Sequence, residues 1–386
     1  MSPSLSHTPP PADAGTLLTG AVLDIDLGAI QRNWLTLGQV APNTKIGACV
    51  KANAYGLGVA YVAPALASQG CEQFFVADPQ EGIALRKTLP EADIYIMDGV
   101  FEEALAAYKT HRLVPCLKSL RDIDLWCGTE MRSRPAALHV DTGMHRLGIP
   151  LEDLSSAKQR LDAASTSPVL LMSHLACADE PLHTQNNLQL ATFKKAQELF
   201  PHTLTSFANS AGLFLGTDYQ GDIARPGIGL YGASPFLEKK SPFEPVVGLR
   251  GRVLQIQDVP AGQGVGYGAS YVTAEDSRIA VLGFGYGDGL FRHIGRSNIA
   301  PATNDPGAGS RIGVFFGDVK APIVGRLSMD QLTVDVSHVP ESVAIEGAWA
   351  EILGKNQTID DFAEAAGTIG YEVLTSLGYR YHRHYT

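Results

Sequence analysis

Ile46-Gly47-Ala48-Cys49-Val50-Lys51-Ala52-Asn53-Ala54-Tyr55-Gly56 is the stretch that decides the fold. Residues 46–51 read as a short apolar strand ending on a lysine, the first of a repeated theme of short apolar strand, turn and amphipathic helix. The same unit recurs along the chain. Further strands are expected at 73–77, 94–97, 113–117, 137–141, 170–174, 205–209 and 222–225. Amphipathic helical patterns lie between them, as at 80–88, 101–108, 151–163 and 189–200. Strands alternating with helices imply a parallel sheet. Eight such units at roughly 25-residue spacing are what a closed (β/α)8 barrel of the TIM type needs. An open doubly wound sheet is the rival, but no GxGxxG turn follows an early strand.

The pattern changes after Ser234. Residues 234–245 hold Pro235, Pro242, Pro245 and two adjacent lysines, and read as a linker. Beyond it come β-like segments at 248–257, 278–282, 312–315 and 331–336, with turns at 285–289 and 305–309. Only 359–366 and the region near Glu372 read as helical. The expected organisation is an α/β chain: a barrel over 28–240 followed by a mainly-β domain over 241–386. A short strand at 21–26 precedes the first barrel helix and is a candidate to pair with the second domain. Residues 1–20 are rich in Ser, Pro and Ala and contain no Lys or Arg, so they read as a frayed tail and not as a secretory signal.

A net charge of -10 argues against nucleic acid or an anionic membrane as the main partner, and no apolar run is long enough to span a bilayer. Five scattered cysteines form no CxxC pair and no zinc-like cluster. Reduced thiols, a cytoplasmic location and no metal are the expectation.

Candidate chemistry gathers at strand ends. Lys51 ends the first barrel strand, on the face where barrel active sites are built. Small and apolar neighbours would leave its ammonium partly desolvated, a condition under which an amine becomes a nucleophile able to form a Schiff base. A lysine there is otherwise a solvated loop residue, so its company matters. Arg146 follows the fifth strand, and His174 ends the sixth. Asn209 and Ser210 end the seventh, and Arg225, Gly227 and Ile228 end the eighth. The loops after strands seven and eight often bind phosphate in such barrels. Ser210 offers a hydroxyl there, and Gly227 lets backbone N–H groups approach an anion.

The motif Val50-Lys51-Ala52-Asn53-Ala54-Tyr55-Gly56 resembles the lysine motif of the alanine racemase family, which uses pyridoxal phosphate (PLP). Asp141-Thr142-Gly143-Met144, Ser173-His174-Leu175-Ala176, Ala208-Asn209-Ser210-Ala211 and Arg225-Pro226-Gly227-Ile228 are similar to later family motifs, in the family's order. Gly266-Tyr267-Gly268, Gly285-Tyr286-Gly287-Asp288-Gly289, Gly325-Arg326-Leu327-Ser328-Met329-Asp330 and the ending through Tyr385 continue the match, from about Val22 onward. One short motif is weak, but an ordered set of this many is specific.

The resemblance implies a cytoplasmic homodimer with shared active sites that interconverts L- and D-alanine, supplying D-alanine for peptidoglycan. Lys51 would carry PLP. Tyr55, Ser210, Gly227, Ile228 and Tyr385 would surround its phosphate, with Asn209 also among the cofactor-binding residues. His174 would support the ring, Arg146 would contact its phenolic oxygen, and Arg225 would face its pyridine nitrogen. Arg146, Tyr286 and Met329 would meet substrate, Met329 through its backbone N–H. Lys51 and Tyr267 would be the two bases, Tyr267 reaching in from the neighbouring subunit. A phenol titrating near about 10 is a poor base unless positive charge favours its phenolate, and Arg146 or another arginine could supply it. A guanidinium has donors only, so Arg225 could not stabilise a protonated pyridine nitrogen as a carboxylate would. That choice favours racemisation over the other reactions of the cofactor.

The sequence departs from the family in places. His139 stands where the family often has a carbamylated lysine, so no carbamate is expected, and a bound anion or another carboxylate should hold Arg146. Leu57 replaces a usual histidine, and Arg380-Tyr381-His382-Arg383 replaces a commoner Arg-Val-Pro-Arg. A decarboxylase of the same architecture is the first rival, and Arg225 speaks against it. A non-catalytic PLP carrier would lack the second domain. A structural or binding barrel would leave Lys51 and Tyr267 unexplained. A racemase of broader specificity is the alternative closest to the main reading.

Overall fold

The computed structural model describes residues 18–236, 240–292, 294 and 312–386. The expected turn at 305–309 lies outside them. The chain divides into two units, Asp26–Val246 and a second that joins residues up to Ile25 to Val247–Thr386.

In the first unit, parallel strands run in the order Leu204–Ser206, Leu170–Met172, Ala137–Asp141, Leu113–Leu117, Asp93–Ile96, Gln73–Val76 and Ala48–Cys49. The short strand Ile223–Ala224 closes the ring. It pairs in parallel with Lys45–Ile46, and on its other side Asp222 N–H and Arg225 N–H donate to Thr205 and Ala208 carbonyls, both at 2.9 Å. Strands such as Leu113–Leu117 are buried at every position, the signature of strands covered on both faces. The helices start where sequence puts acceptors: Asp78 caps Pro79–Thr88 and Ser119 caps Leu120–Cys127, each side chain accepting a backbone N–H.

Two expectations need correction here. The first strand does not run through to Lys51: it breaks into Lys45–Ile46 and Ala48–Cys49, and Lys51 opens a tight helical turn, Lys51–Tyr55. Residues 240–245, the end of the expected linker, are not free. Phe243 is buried with its ring edge-on to Phe214, and Glu244 N–H donates to Asn33 Oδ1 at 2.8 Å. Phe243 and Glu244 thus pack on the barrel unit, whose last residue is Val246.

The second unit is antiparallel β. Six strands close on themselves in the order Ser277–Leu282, Leu332–Asp335, Val319–Val324, Gly313–Phe316, Trp349–Leu353 and Val247–Val259, the last returning to the first. Val247–Val259 serves both neighbours by breaking register at Leu249/Arg250 and Val253/Gln255, the kind of irregularity that turns a sheet corner. Ala21–Ile25 adds antiparallel to Val247–Val259, and His382–Tyr385 adds in parallel beyond it. Asp24 ties the three together, accepting from Arg250 Nε at 2.8 Å and meeting His384 Nδ1 at 3.0 Å. Two helices, Ile359–Ala365 and Gly370–Ser376, complete the unit. Among the described residues no helix is long and apolar enough to cross a membrane.

Candidate active site

Lys51 sits at the strand-end face of the barrel unit, where Cys49 N–H and Val50 N–H donate to the carbonyls of Pro226 and Phe75 at 2.9 Å. The turn it opens is unusual. Ala52, Asn53, Ala54 and Tyr55 have φ of 53°, 55°, 55° and 55°, a run of left-handed helix that costs L-residues roughly 1–2 kcal/mol each. Local bonds offset part of that cost: Ala54 N–H donates to Val50 O and Gly56 N–H to Ala52 O, each at 2.8 Å, and Asn53 Oδ1 accepts Val59 N–H at 2.8 Å. Lys51 Nζ has no carboxylate within ion-pair distance among the described residues.

The left-handed turn delivers the Tyr55 ring against Tyr231, centroids 4.6 Å apart. Its hydroxyl reaches the backbone of Gly227 so closely that a Cβ there would overlap the oxygen and lie 3.0 Å from Tyr55 Cζ. Glycine is required at 227 by that approach. Beside it, Ser210 Oγ accepts Gly227 N–H at 2.9 Å and Gly229 N–H at 3.1 Å. An oxygen accepting twice has its own hydrogen left to donate. The amide of Ile228 opens a 3-10 turn, Ile228–Tyr231, and has no hydrogen-bond partner among the described residues. Tyr55, Ser210, Gly227 and Ile228 therefore converge as a neutral, donor-rich cradle. Asn209 is used differently: its Oδ1 accepts Gly212 N–H at 2.8 Å, so its observed role is to fold the turn after Ser210.

Arg225 crosses the barrel interior. It is 4% exposed and donates to Ser206 O at 2.8 Å, Ser206 Oγ at 2.6 Å and Ser173 O at 2.6 Å. Burial pulls its guanidinium down to about 10, so it remains charged at neutral pH. Its fourth contact is His174 Nδ1 at 3.3 Å. Burial and then the Arg225 charge hold His174 well below the ordinary imidazole range. The ring is thus neutral, and Nδ1 is its accepting nitrogen. His139 stands nearby, buried, and is pushed down to about 3 first by burial and then by Arg225 and Arg146; its Nδ1 has no hydrogen-bond partner among the described residues.

Arg146 is presented by a loop that Asp141 organises, Oδ1 accepting the N–H groups of Gly143, Met144 and His145 at 2.9, 3.0 and 3.2 Å. A small cavity lined by His139, Asp141, Arg146, Ser173 and His174 separates these groups. Of the two partners expected for Arg146, a bound anion or a carboxylate, no carboxylate lies within ion-pair distance among the described residues.

The second unit contributes its own cluster. Tyr267 begins a 3-10 turn on the hairpin between Gly264–Val265 and Tyr271–Val272, and its ring is 68% exposed. Arg326 lies under that turn, its Nη1 3.3 Å from where a Cβ on Gly268 would sit. Tyr286 and Met329 are brought together by backbone bonds, Tyr286 N–H to Ser328 O at 3.1 Å and Gly287 N–H to Met329 O at 2.8 Å. The Met329 N–H itself is left without a partner among the described residues. Tyr385 lies in the strand His382–Tyr385, opposite Ile25.

Several supporting residues carry no sequence motif. Gln189, fully buried, donates to Thr142 Oγ1 at 3.0 Å and His174 O at 2.9 Å while accepting from Ala176 N–H at 2.8 Å, so one amide fixes the loops of Arg146 and His174. Ser206, whose Oγ donates to Ile223 O at 2.5 Å, and Glu81 act similarly. Their signal is three-dimensional, because each holds a strand end distant in sequence.

The donor set fits PLP. The cradle, where a Cβ on Gly227 would take the space, suits a phosphate. The unpaired Lys51 suits the aldehyde, and a buried cationic donor at Arg225 suits a pyridine nitrogen left unprotonated.

Comparison with known proteins agrees. The family described as Alanine racemase, N-terminal domain, matches residues 25–235, and Alanine racemase, C-terminal domain, matches 246–385. The chain is 44% identical to the alanine racemase of Rhodospirillum rubrum over 95% of its length and 96% of that protein's. It is 42% identical to the catabolic alanine racemase of Agrobacterium fabrum, over 94% and 91%. Among solved structures, alanine racemase from Bartonella henselae with covalently bound pyridoxal phosphate superposes with a TM-score of 0.86 at 36% identity, covering 95% of this chain and all of that one.

Proposed function

This chain belongs to the alanine racemase family, and we propose that it interconverts L- and D-alanine with pyridoxal phosphate by two-base racemisation, supplying D-alanine for peptidoglycan. The observation that carries the reading is an unpaired Lys51 beside the Tyr55–Ser210–Gly227 cradle, with buried Arg225 in place of a carboxylate.

When bound, pyridoxal phosphate supplies the electron sink that makes the α-hydrogen of alanine removable. The chain's own groups do the rest. Lys51 would hold the cofactor through its side-chain amine, the group that also stands ready to act as a base. Tyr55, the remaining Ser210 hydrogen and the Ile228 N–H would hold the phosphate, with Gly227 leaving room for it. Arg225, a buried guanidinium with donors only, would face the pyridine nitrogen without supplying an acceptor for a proton there, a choice that favours racemisation over the cofactor's other reactions. His174 Nδ1 is taken up by Arg225, so the imidazole is fixed as a neutral support for the ring.

Proton transfer needs a base on each face of the α-carbon. Lys51 Nζ removes the proton from D-alanine, and the partner subunit's Tyr267 removes it from L-alanine; whichever group is protonated at the start returns a proton to the opposite face. Arg146 and Arg326 are the cations that favour a phenolate at Tyr267. The unpartnered Met329 N–H meets the substrate carboxylate, and Tyr286 lines the side-chain pocket. The enzyme is proposed to work as a cytoplasmic homodimer, since each site draws on both copies.

Incubating pure L-alanine with the purified protein and PLP tests this. D-alanine should accumulate towards an equal mixture at constant total alanine. Alanine that stays in the L-form overturns the assignment.

A further inference from the structure

The run Ala52–Tyr55 is an unfavourable backbone state placed immediately after Lys51, and something outside the turn must hold it. Glu81 does. Its Oε1 accepts Ala52 N–H at 2.6 Å, and its Oε2 accepts Ala77 N–H at 2.8 Å. One carboxylate therefore bridges the first residue of the left-handed turn to the end of the neighbouring strand.

Glu81 is the third residue of helix Pro79–Thr88, which Asp78 caps by accepting Glu81 N–H at 2.9 Å. A glutamate at this position ordinarily turns back to the N–H of the capping residue itself. Here the side chain reaches past Asp78, with one oxygen on Ala77 and the other across to a separate βα unit. The second bond contributes nothing to the helix. It fixes the peptide between Lys51 and Ala52, and with it the direction in which the Lys51 side chain leaves the backbone. The same fixed turn carries Tyr55 to Gly227, so both the covalent and the phosphate ends of the cofactor site depend on it.

We propose that Glu81 is a positioning residue for Lys51, holding the left-handed turn 52–55 that aims both Lys51 and Tyr55 into the site. The proposal rests on the reading that Lys51 carries PLP, but its first test does not. In the full chain without PLP, hydrogen exchange at the Ala54 and Gly56 amides reports the turn directly. Glu81→Ala should speed that exchange by about tenfold or more, and should weaken PLP affinity, titrated by absorbance, by about tenfold or more. Glu81→Gln keeps the size but can accept only one of the two N–H groups, so it should fall between wild type and Glu81→Ala in both measurements. Asp78→Ala separates this from helix capping: it should lower Tm while leaving exchange at Ala54 and Gly56, and PLP affinity, near wild type.

Wild-type exchange and affinity in both Glu81 variants would overturn the proposal, as would Asp78→Ala reproducing their defects. If Glu81→Ala fails to fold, Glu81→Gln decides. A wild-type chain that does not bind PLP would instead overturn the functional reading, while the exchange result would still judge Glu81.

Discussion

The jobs proposed for Tyr267 and Lys51 are not interchangeable, and the difference is measurable. Tyr267→Phe removes one base and leaves the other. In deuterated water the variant should still exchange the α-hydrogen of D-alanine, through Lys51, but should not exchange that of L-alanine. Racemisation should fall by about 10²–10⁴, the usual worth of a positioned base. Equal loss of exchange from both enantiomers would deny the division of labour. His139 offers a prediction about stability. Its folded-state pKa of about 3 lies below its ordinary 6.5, so the unfolded chain binds more protons between those values. That contribution to stability is present above about pH 6.5 and is lost as pH falls towards about 3. His139→Gln, neutral throughout, should flatten the fall of Tm between pH 6.5 and 4. An unchanged slope would mean that His139 is not held neutral by its surroundings. Lys51, Arg146, His174, Ser210, Arg225 and Gly227 were all legible in the sequence, because each ends or follows a strand in a short motif. Gln189 and Glu81 were not: a buried amide and a bridging carboxylate look like ordinary helix residues until the strands they join are adjacent.

At the scale of elements, the cradle is an agreement between two turns from opposite ends of the barrel sequence. Gly227→Ala puts a methyl where the Tyr55 hydroxyl stands. Tyr55 must then withdraw, and PLP affinity should fall by about tenfold or more while the barrel keeps its Tm within a few degrees. Unaltered affinity would mean that Tyr55 has no part in holding the cofactor. The eight parallel strands could be read from alternation and spacing, since strands buried on both faces are apolar runs. The left-handed turn could not, because Ala-Asn-Ala-Tyr contains no glycine and only one residue that tolerates positive φ. The short hairpin strands Gly264–Val265 and Tyr271–Val272 escaped reading, and so did three longer strands of the second unit. Val319–Val324 contains Pro322, which argues against a strand, and the half-exposed His382–Tyr385 is polar throughout. Trp349–Leu353 follows a turn-rich approach that hides its short alternation.

The whole molecule is interleaved in sequence. The first described strand, Ala21–Ile25, lies between Val247–Val259 and His382–Tyr385, so the second unit cannot be completed until the entire chain has been made. Asp24 joins all three strands through Arg250 and His384. Asp24→Ala leaves a part-buried guanidinium without its carboxylate and should destabilise the protein by about 1–3 kcal/mol, seen as a lower Tm with PLP binding unaffected. A Tm equal to wild type would remove Asp24 from the account of how the termini are held. In the proposed assembly, one active site takes Lys51 from one copy and Tyr267 from the other. A heterodimer of Lys51→Ala and Tyr267→Phe chains, purified through two different affinity tags, tests it most directly. Each homodimeric variant should be nearly inactive, whereas the heterodimer contains one site with both bases and should recover about half of wild-type racemase activity. A heterodimer no more active than its parents would contradict the shared two-base site.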